Sequence, residues 1–406
     1  MRGRAFIVRG FVLALTLLAR PGLTAEPGET KQTQRSGGDY DAGLSRGQEL
    51  FRKMSDAWKT VWSRFYHPQT SQFFTKEPAR LPSAERIKRL DPNECGYGTG
   101  MDDCPLFGGI LLVAICDQYE VTHDDSLKTA ALSVFQGLKV CATAHGVPGF
   151  VARGVCLEDG KSIYITSSRD QYTHLVHGFW RYYHSPLCDE DLKPTIRTIL
   201  QAIADRMTRN VTPRNNYDFL RADGTQDPRG ICRMLDVRAH EAARLPMLYA
   251  AAWDVGRNEE HYRLYRKYLP QAIEQSIGLP QLSQAEITRW IPPYAVLQMQ
   301  CSLEVLNDLE RDPEMKLRTK EAMLRVAEFA AQKRAFGGKK KRKPTQRECG
   351  ETALAQLMFG DLAFTQQQRT ELGEAIISAK YAVDPAAAYC LLGAYWKARV
   401  RGFFQP

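Results

Sequence analysis

The chain has 406 residues, 44% of them apolar and 25% charged, with 30 Gly and 21 Pro. Those proportions exclude a collagen, a low-complexity chain and a disordered tail, and the length suffices to bury a large core without metal or oligomeric support. The formal net charge is +9, and its distribution decides whether it signals an acidic partner.

Residues 1–25 place Arg2, Arg4 and Arg9 ahead of an apolar run from Phe11 to Ala19 and end on the small residue Ala25. This is the layout of a secretory signal peptide, and the run is too short for a stable membrane span. The expectation is a periplasmic or secreted protein with no membrane span after cleavage; an uncleaved N-terminal anchor is the alternative. Thiols in an oxidising compartment tend to pair. Among the ten cysteines, Cys95 and Cys104 bracket one loop that a disulfide could close, whereas Cys116, Cys141, Cys301 and Cys390 lie in apolar stretches and read as free, buried thiols.

Residues 26–44, rich in Gly, Thr, Gln and Ser, read as a flexible linker to one domain over 45–406. From there the periodicity is helical nearly throughout. It predicts twelve helices, over 45–65, 105–121, 124–145, 170–185, 190–210, 239–256, 258–270, 285–309, 312–335, 350–362, 366–380 and 385–400. The odd members are amphipathic, as in SRGQELFRKMSDAWKTVWSRF (45–65), which suits a helix with one face in water. The even members, such as PLFGGILLVAICDQY (105–119) and PAAAYCLLGAYW (385–396), are apolar on nearly every face and must be surrounded by other helices. Six exposed and six buried helices in alternation predict an all-α fold, an (α/α)6 barrel of six helical hairpins.

Links from an even helix to the next odd one are short, as at Thr122-His123 and Gly256-Arg257. The odd-to-even links 66–104, 146–169, 211–238, 271–284 and 336–349 are long. Long loops without structure of their own are usually functional, and all of these fall on the rim where the N-termini of the buried helices converge, with their free N–H donors.

That rim carries the candidate residues. NECGYGTGMDDC (93–104) supplies Tyr97, Asp102 and Asp103; GFVARG (149–154) supplies Arg153; YITSSRDQYTHLVHGFW (164–180) supplies Arg169, Asp170, His174 and His177. Arg238 and His240 lie in LDVRAHEAAR (235–244), Trp290 and Tyr294 in RWIPPY (289–294), and Glu351 opens the tenth helix. For Asp103 or Asp170 taken singly, an ordinary N-cap is the structural reading; Ser167 or Ser168 could cap the fourth helix and leave Asp170 free. His174 and His177 have helical spacing but no third ligand, so packing or substrate contact is favoured over zinc, and neither metal nor cofactor is expected. The rim aromatics suit core packing or platforms for sugar rings. No GxSxG elbow, HExxH helix or GxxxxGK[ST] loop occurs. Carboxylates, arginines and aromatics together suit saccharide chemistry, in which one protonated and one ionised carboxyl divide acid and base duties.

In helix pattern and site placement, residues 45–400 resemble the six-hairpin glycosidase superfamily, in particular the unsaturated glucuronyl and rhamnogalacturonyl hydrolases. The resemblance implies that Asp103 and Asp170 flank the substrate, with Asp170 as general acid/base and Asp103 as its partner. It also implies that His240 contacts substrate and that Arg153, Arg169 or Arg238 binds a uronate carboxylate. The function expected is an exported glycoside hydrolase acting on oligosaccharides, uronic-acid-containing ones first. A polysaccharide lyase on the same scaffold and a non-catalytic saccharide-binding protein are the alternatives.

The charge resolves into two patches. Arg2, Arg4, Arg9 and Arg20 leave with the leader, and Lys339, Lys340, Lys341, Arg342 and Lys343 form one run, which together account for the whole excess. A body without excess charge gives no support to nucleic-acid binding. The run reads as a solvated loop or, lying on the active rim, as an attractor for an anionic polysaccharide. In the second case, replacing all five residues with Ser or Gln is expected to weaken binding at low salt in affinity electrophoresis, and unchanged mobility excludes it.

Overall fold

The computed structural model describes residues 45–279, 291–336 and 343–404. The leader, the linker, Trp290 and Lys339 to Arg342 lie outside the described residues.

Among the described residues twelve long helices follow in order: α1 (Arg46–Thr60), α2 (Cys104–Thr122), α3 (Leu127–Thr143), α4 (Arg169–Tyr183), α5 (Lys193–Asn210), α6 (Arg244–Gly256), α7 (Glu259–Ile277), α8 (Pro293–Leu309), α9 (Pro313–Phe336), α10 (Gln346–Leu357), α11 (Gln366–Ser378) and α12 (Pro385–Val400). The even helices pack side by side in the order α2, α4, α6, α8, α10, α12 and back to α2, each backed by odd-numbered helices. The expected (α/α)6 barrel is therefore the fold.

Local sequence explains most boundaries. Ser45 and Gln48 cap α1 reciprocally, Thr345 and Glu348 do the same for α10, and Thr365 and Gln368 for α11. The box at Thr345 starts α10 four residues ahead of the predicted start. Asn258 caps α7 by accepting from the N–H groups of Glu260 and His261. Pro270, taken in the sequence as the end of α7, lies inside it, and the helix continues to Ile277; packing of Leu269, Ala272 and Ile273 in the core outweighs the lost backbone bond. The short link after α6 turns on Arg257 in the left-handed region (φ 53°).

The long links carry more structure than predicted. The first contains a small antiparallel hairpin pairing Tyr66 with Phe73, then a helical turn at Pro78–Arg80 and a short helix at Ala84–Lys88. Gln72 ties that hairpin to the second long link, donating to the Val155 carbonyl at 3.0 Å and accepting from its N–H at 2.8 Å. A single turn, Ala239–Ala242, precedes α6.

The inner ring is tight because glycine lines it. A Cβ on Gly109 of α2 would stand 2.1 Å from the carbonyl oxygen of His174 in α4, and one on Gly178 of α4 would stand 3.0 Å from the Gly109 Cα. Gly350 plays the same part between α10 and α12, against Cys390. Toward the C-terminal ends of the inner helices, buried charges pair across the ring. Asp117 accepts from Arg181 at 2.9 Å and from Lys397 at 2.8 Å, and Glu304 bonds His177 at 2.6 Å. Breaking one such partner would leave an uncompensated charge. By length and composition α2 could cross a membrane, yet it forms the inner wall here and is largely buried.

The glycine contact is testable by thermal denaturation. Gly109→Ala is expected to cost about 1–3 kcal/mol or more through forced separation of two helices. Gly373→Ala on α11, which meets the flexible end of Arg46 and Leu50 Cδ2 at an ordinary contact distance of 3.6 Å, is expected to be near neutral.

Candidate active site

The loop before α2 is shaped by short side-chain bonds. Asn93 accepts from the N–H groups of Cys95 and Tyr97, and Gly96, Gly98 and Gly100 take positive φ of 67°, 81° and 94°, which glycine tolerates without strain. The Asp102 carboxylate accepts from the N–H of Gly98 at 3.4 Å and of Gly100 at 3.1 Å. Asp102, expected at the substrate, is thus engaged in holding its own loop.

Asp103 is the N-cap residue of α2, but its side chain makes no cap bond. Its carboxylate instead accepts from Gln171 Nε2 at 2.8 Å and from Arg153 Nη1 at 3.2 Å. Arg153 also donates to the Asp102 carbonyl at 2.7 Å and to the Tyr97 hydroxyl at 2.9 Å, and stacks 4.6 Å from the Tyr97 ring centroid. Arg153 is buried, so it organises the Asp103 side of the rim.

Ser168 occupies the N-cap of α4 and also makes no side-chain cap bond, while Ser167 bonds the Val151 carbonyl. The expected serine cap is absent. Asp170 is nonetheless free of capping duty, and its carboxylate accepts from Arg244 Nη1 at 2.8 Å. Arg244 is buried and also donates to Gln298 Oε1 at 2.6 Å, which links α4, α6 and α8.

These surroundings push the two carboxyls apart. Desolvation dominates at Asp103 and outweighs the pull of Arg153, raising its pKa to about 6. Burial would raise Asp170 as well, but Arg244, Arg153 and Arg169 outweigh it and hold the pKa below the usual carboxylate value. Arg153 acts on both carboxyls.

The remaining candidates divide. His174 is 1% exposed, and both of its ring nitrogens lack a hydrogen-bond partner among the described residues. Burial lowers its pKa to about 3, with further lowering from His177, Arg244 and Arg347. His240 is buried in the turn before α6 and lowered to about 4 by burial, so both imidazoles are neutral at physiological pH. Glu351 is buried and accepts from Arg347 Nε at 2.7 Å. Arg169, expected to meet a uronate, is engaged elsewhere. It donates to the carbonyls of Gly230 and Arg233 at 2.7 and 2.6 Å and pairs with Glu241, which fastens the link between α5 and α6. Arg238 is exposed at the start of the turn carrying His240. The Cys95–Cys104 closure is not formed. All ten cysteines are free, and Cys95 lies 2.9 Å from Arg229 Nη2.

Sequence reasoning passed over Gln171, Arg244, Gln298 and Arg347. Arg244 had a legible signal, since it follows His240 by one helical turn. Arg347 lies over the Phe107 ring at 5.3 Å, and its field reaches Asp103, His174 and Tyr294. Its two Nη groups make no hydrogen bond among the described residues.

Comparison with solved structures agrees with this architecture. The chain is similar to a family 76 glycoside hydrolase from a bovine Bacteroides thetaiotaomicron strain, at 9% identity and a TM-score of 0.52, over 86% of this chain and 78% of that one. It is also similar to the cellobiose 2-epimerase of Spirochaeta thermophila DSM 6192, at 10% identity and 0.48, over 86% and 98%. The α-1,6-mannanase GH76A of Salegentibacter sp. HEL1_6 gives 11% and 0.47, over 89% and 100%. The likeness to the first shows the fold, an (α/α)6 barrel. No protein-family model matches the sequence, and no curated protein matches it.

The raised Asp103 has a stability consequence. A carboxyl whose folded pKa stands above its unfolded value of about 3.9 favours the fold when protonated, and that contribution fades as pH rises through about 6. Asp103→Asn does not titrate. Its stability relative to the parent is expected to improve between about pH 4 and pH 6, by up to about 3 kcal/mol, in denaturant titrations.

Proposed function

We propose that this rim hydrolyses a glycosidic bond in an oligosaccharide, with Asp103 as general acid and Asp170 as its ionised partner. One observation carries the reading: two carboxyls on adjacent helix starts, one raised to about 6 and one held low. The first can hand a proton to the leaving oxygen. The second, kept charged by Arg244, can activate water or face the developing positive charge on the sugar. The resemblance implied the opposite division of roles, and the surroundings favour Asp103 as the acid because the cations gather around Asp170. The shared fold of the family 76 glycoside hydrolase supports an enzyme of this class.

The finer substrate assignment is a saccharide bearing a carboxylate. Arg153 and Arg169 are engaged within the protein, whereas Arg347 is anchored through Nε on Glu351 and lies over the Phe107 ring, close enough for its charge to act on Asp103, His174 and Tyr294. A planar fork so placed suits a uronate. His174 and His240, neutral, suit hydroxyl contacts. Export belongs to the proposal on the strength of residues 1–25; the ten thiols, nine of them buried, would then be shielded from oxidation by packing.

His174, with no partner among the described residues, also favours a second reading in which an imidazole removes a proton beside a carboxylate, as a lyase would. A base at about 3 is weak for that task, which is why hydrolysis is preferred.

The test is kcat/KM against pH on a panel of oligosaccharides and their lyase-generated unsaturated forms. Activity is expected to fall as pH rises through about 6, where Asp103 loses its proton. Asp103→Asn and Asp170→Asn are each expected to lower kcat by about 10²–10⁴-fold, and full activity in both sinks the assignment. Absorbance in the unsaturated-uronate band separates the chemistries: a lyase creates it, an unsaturated glucuronyl hydrolase removes it, and a plain hydrolase leaves it unchanged.

A further inference from the structure

At the other end of the barrel, a cavity of about 430 Å³ opens between α1, α3 and the C-terminal halves of α2 and α12. Gln118 of α2 lines it, about 20 Å along the helix axis from Cys104 at the active rim, so the cavity is separate from the site described above. Its volume falls within the range of small-ligand sites, about 300–1,000 Å³.

The lining has two parts. Three indoles, Trp58, Trp62 and Trp396, form the apolar wall together with Phe51, which is 49% exposed. Trp58 and Trp62 meet at 5.4 Å between ring centroids, tilted by 49°, so they present differently angled faces. Around them stand short polar groups, among them Gln118, Ser133 and Asp124, the last being the one charged side chain in the lining. The Trp62 indole N–H is buried and has no hydrogen-bond partner.

A purely apolar occupant leaves the hydroxyl and amide groups of the lining, from Ser55, Gln118, Ser126, Thr129 and Ser133, without a ligand partner. An anionic one meets Asp124 and no cation. A neutral sugar fits both parts, since its C–H faces stack on indoles while its hydroxyls reach polar groups at the ring edge. We infer that this cavity is a second saccharide-binding site for a neutral sugar unit, remote from the catalytic rim. It would hold part of a longer glycan chain, or a second chain, against the outer wall of the barrel.

The experiment follows the tryptophan indole N–H signals by NMR in the full-length protein during titration with cellohexaose, mannohexaose and xylohexaose, with dodecanoate as a separate arm. At least one hexasaccharide is expected to shift the Trp58 and Trp62 signals saturably. Trp58→Leu keeps an apolar side chain without a stacking face, and Trp62→Phe keeps an aromatic ring but a smaller stacking face. Each is expected to weaken that binding about tenfold, and Trp62→Phe preserves the test if Trp58→Leu fails to fold. Asp103→Asn is expected to leave the shifts unchanged, so a failure of the catalytic proposal does not disturb this result. The inference is overturned if no hexasaccharide shifts these signals, if binding survives both variants, or if only dodecanoate binds.

Discussion

The candidate site depends on how closely α2 and α4 approach. Gly109 and Gly178 leave no room for a side chain between the two backbones, so the helices meet nearly backbone to backbone. Their N-terminal ends, which carry Asp103 and the Arg169–Asp170–Gln171 sequence, then lie side by side. That contact lets Gln171 reach Asp103 at 2.8 Å and brings both carboxyls under the influence of Arg153. A methyl group at either glycine would push the two helices apart and loosen each of these bonds, because packed interiors transmit small displacements.

Charge in the barrel falls into two tiers with different roles. Toward the C-terminal ends, Asp117, Arg181, Lys397, Glu304 and His177 bond one another across the inner ring and close the barrel around groups that cannot be left alone. At the N-terminal rim the bonds are uneven. Arg244 serves Asp170 directly, whereas Asp103 shares Arg153 with a carbonyl and a tyrosine hydroxyl. That inequality separates the two carboxyls in proton affinity, and acid–base work on one bond requires such a separation. On the same rim α10 and α12 have side-chain caps, whereas α2, α4, α6 and α8 have none. The carboxylates at the starts of α2 and α4 bond Gln171, Arg153 and Arg244 instead.

Much of this was legible in the chain. The all-round apolar character of 105–119 and 385–396 marked α2 and α12 as inner helices, and the long links marked the rim on which Asp103 and Asp170 stand. Asp102, Arg169 and the cysteine pair have partners that the sequence does not show, for a common reason. Each is a plausible functional residue by type, and only its actual partner, a loop N–H, a carbonyl or a neighbouring guanidinium, shows how it is used. Arg347 escaped notice because its place over Phe107 joins residues far apart in the chain.

The sequence by itself determined the twelve long helices found among the described residues, their inner and outer alternation and the rim that carries the long links. Those features follow from hydrophobic periodicity and link length, which are local properties. Tertiary structure alone decided which cation meets which carboxyl, with Arg244 lying 74 positions from Asp170 and Arg153 lying 50 from Asp103. Proton affinity depends on burial and on charges a few ångströms away. No local pattern encodes those distances, so the order in which the two aspartates titrate emerges only when the ring closes.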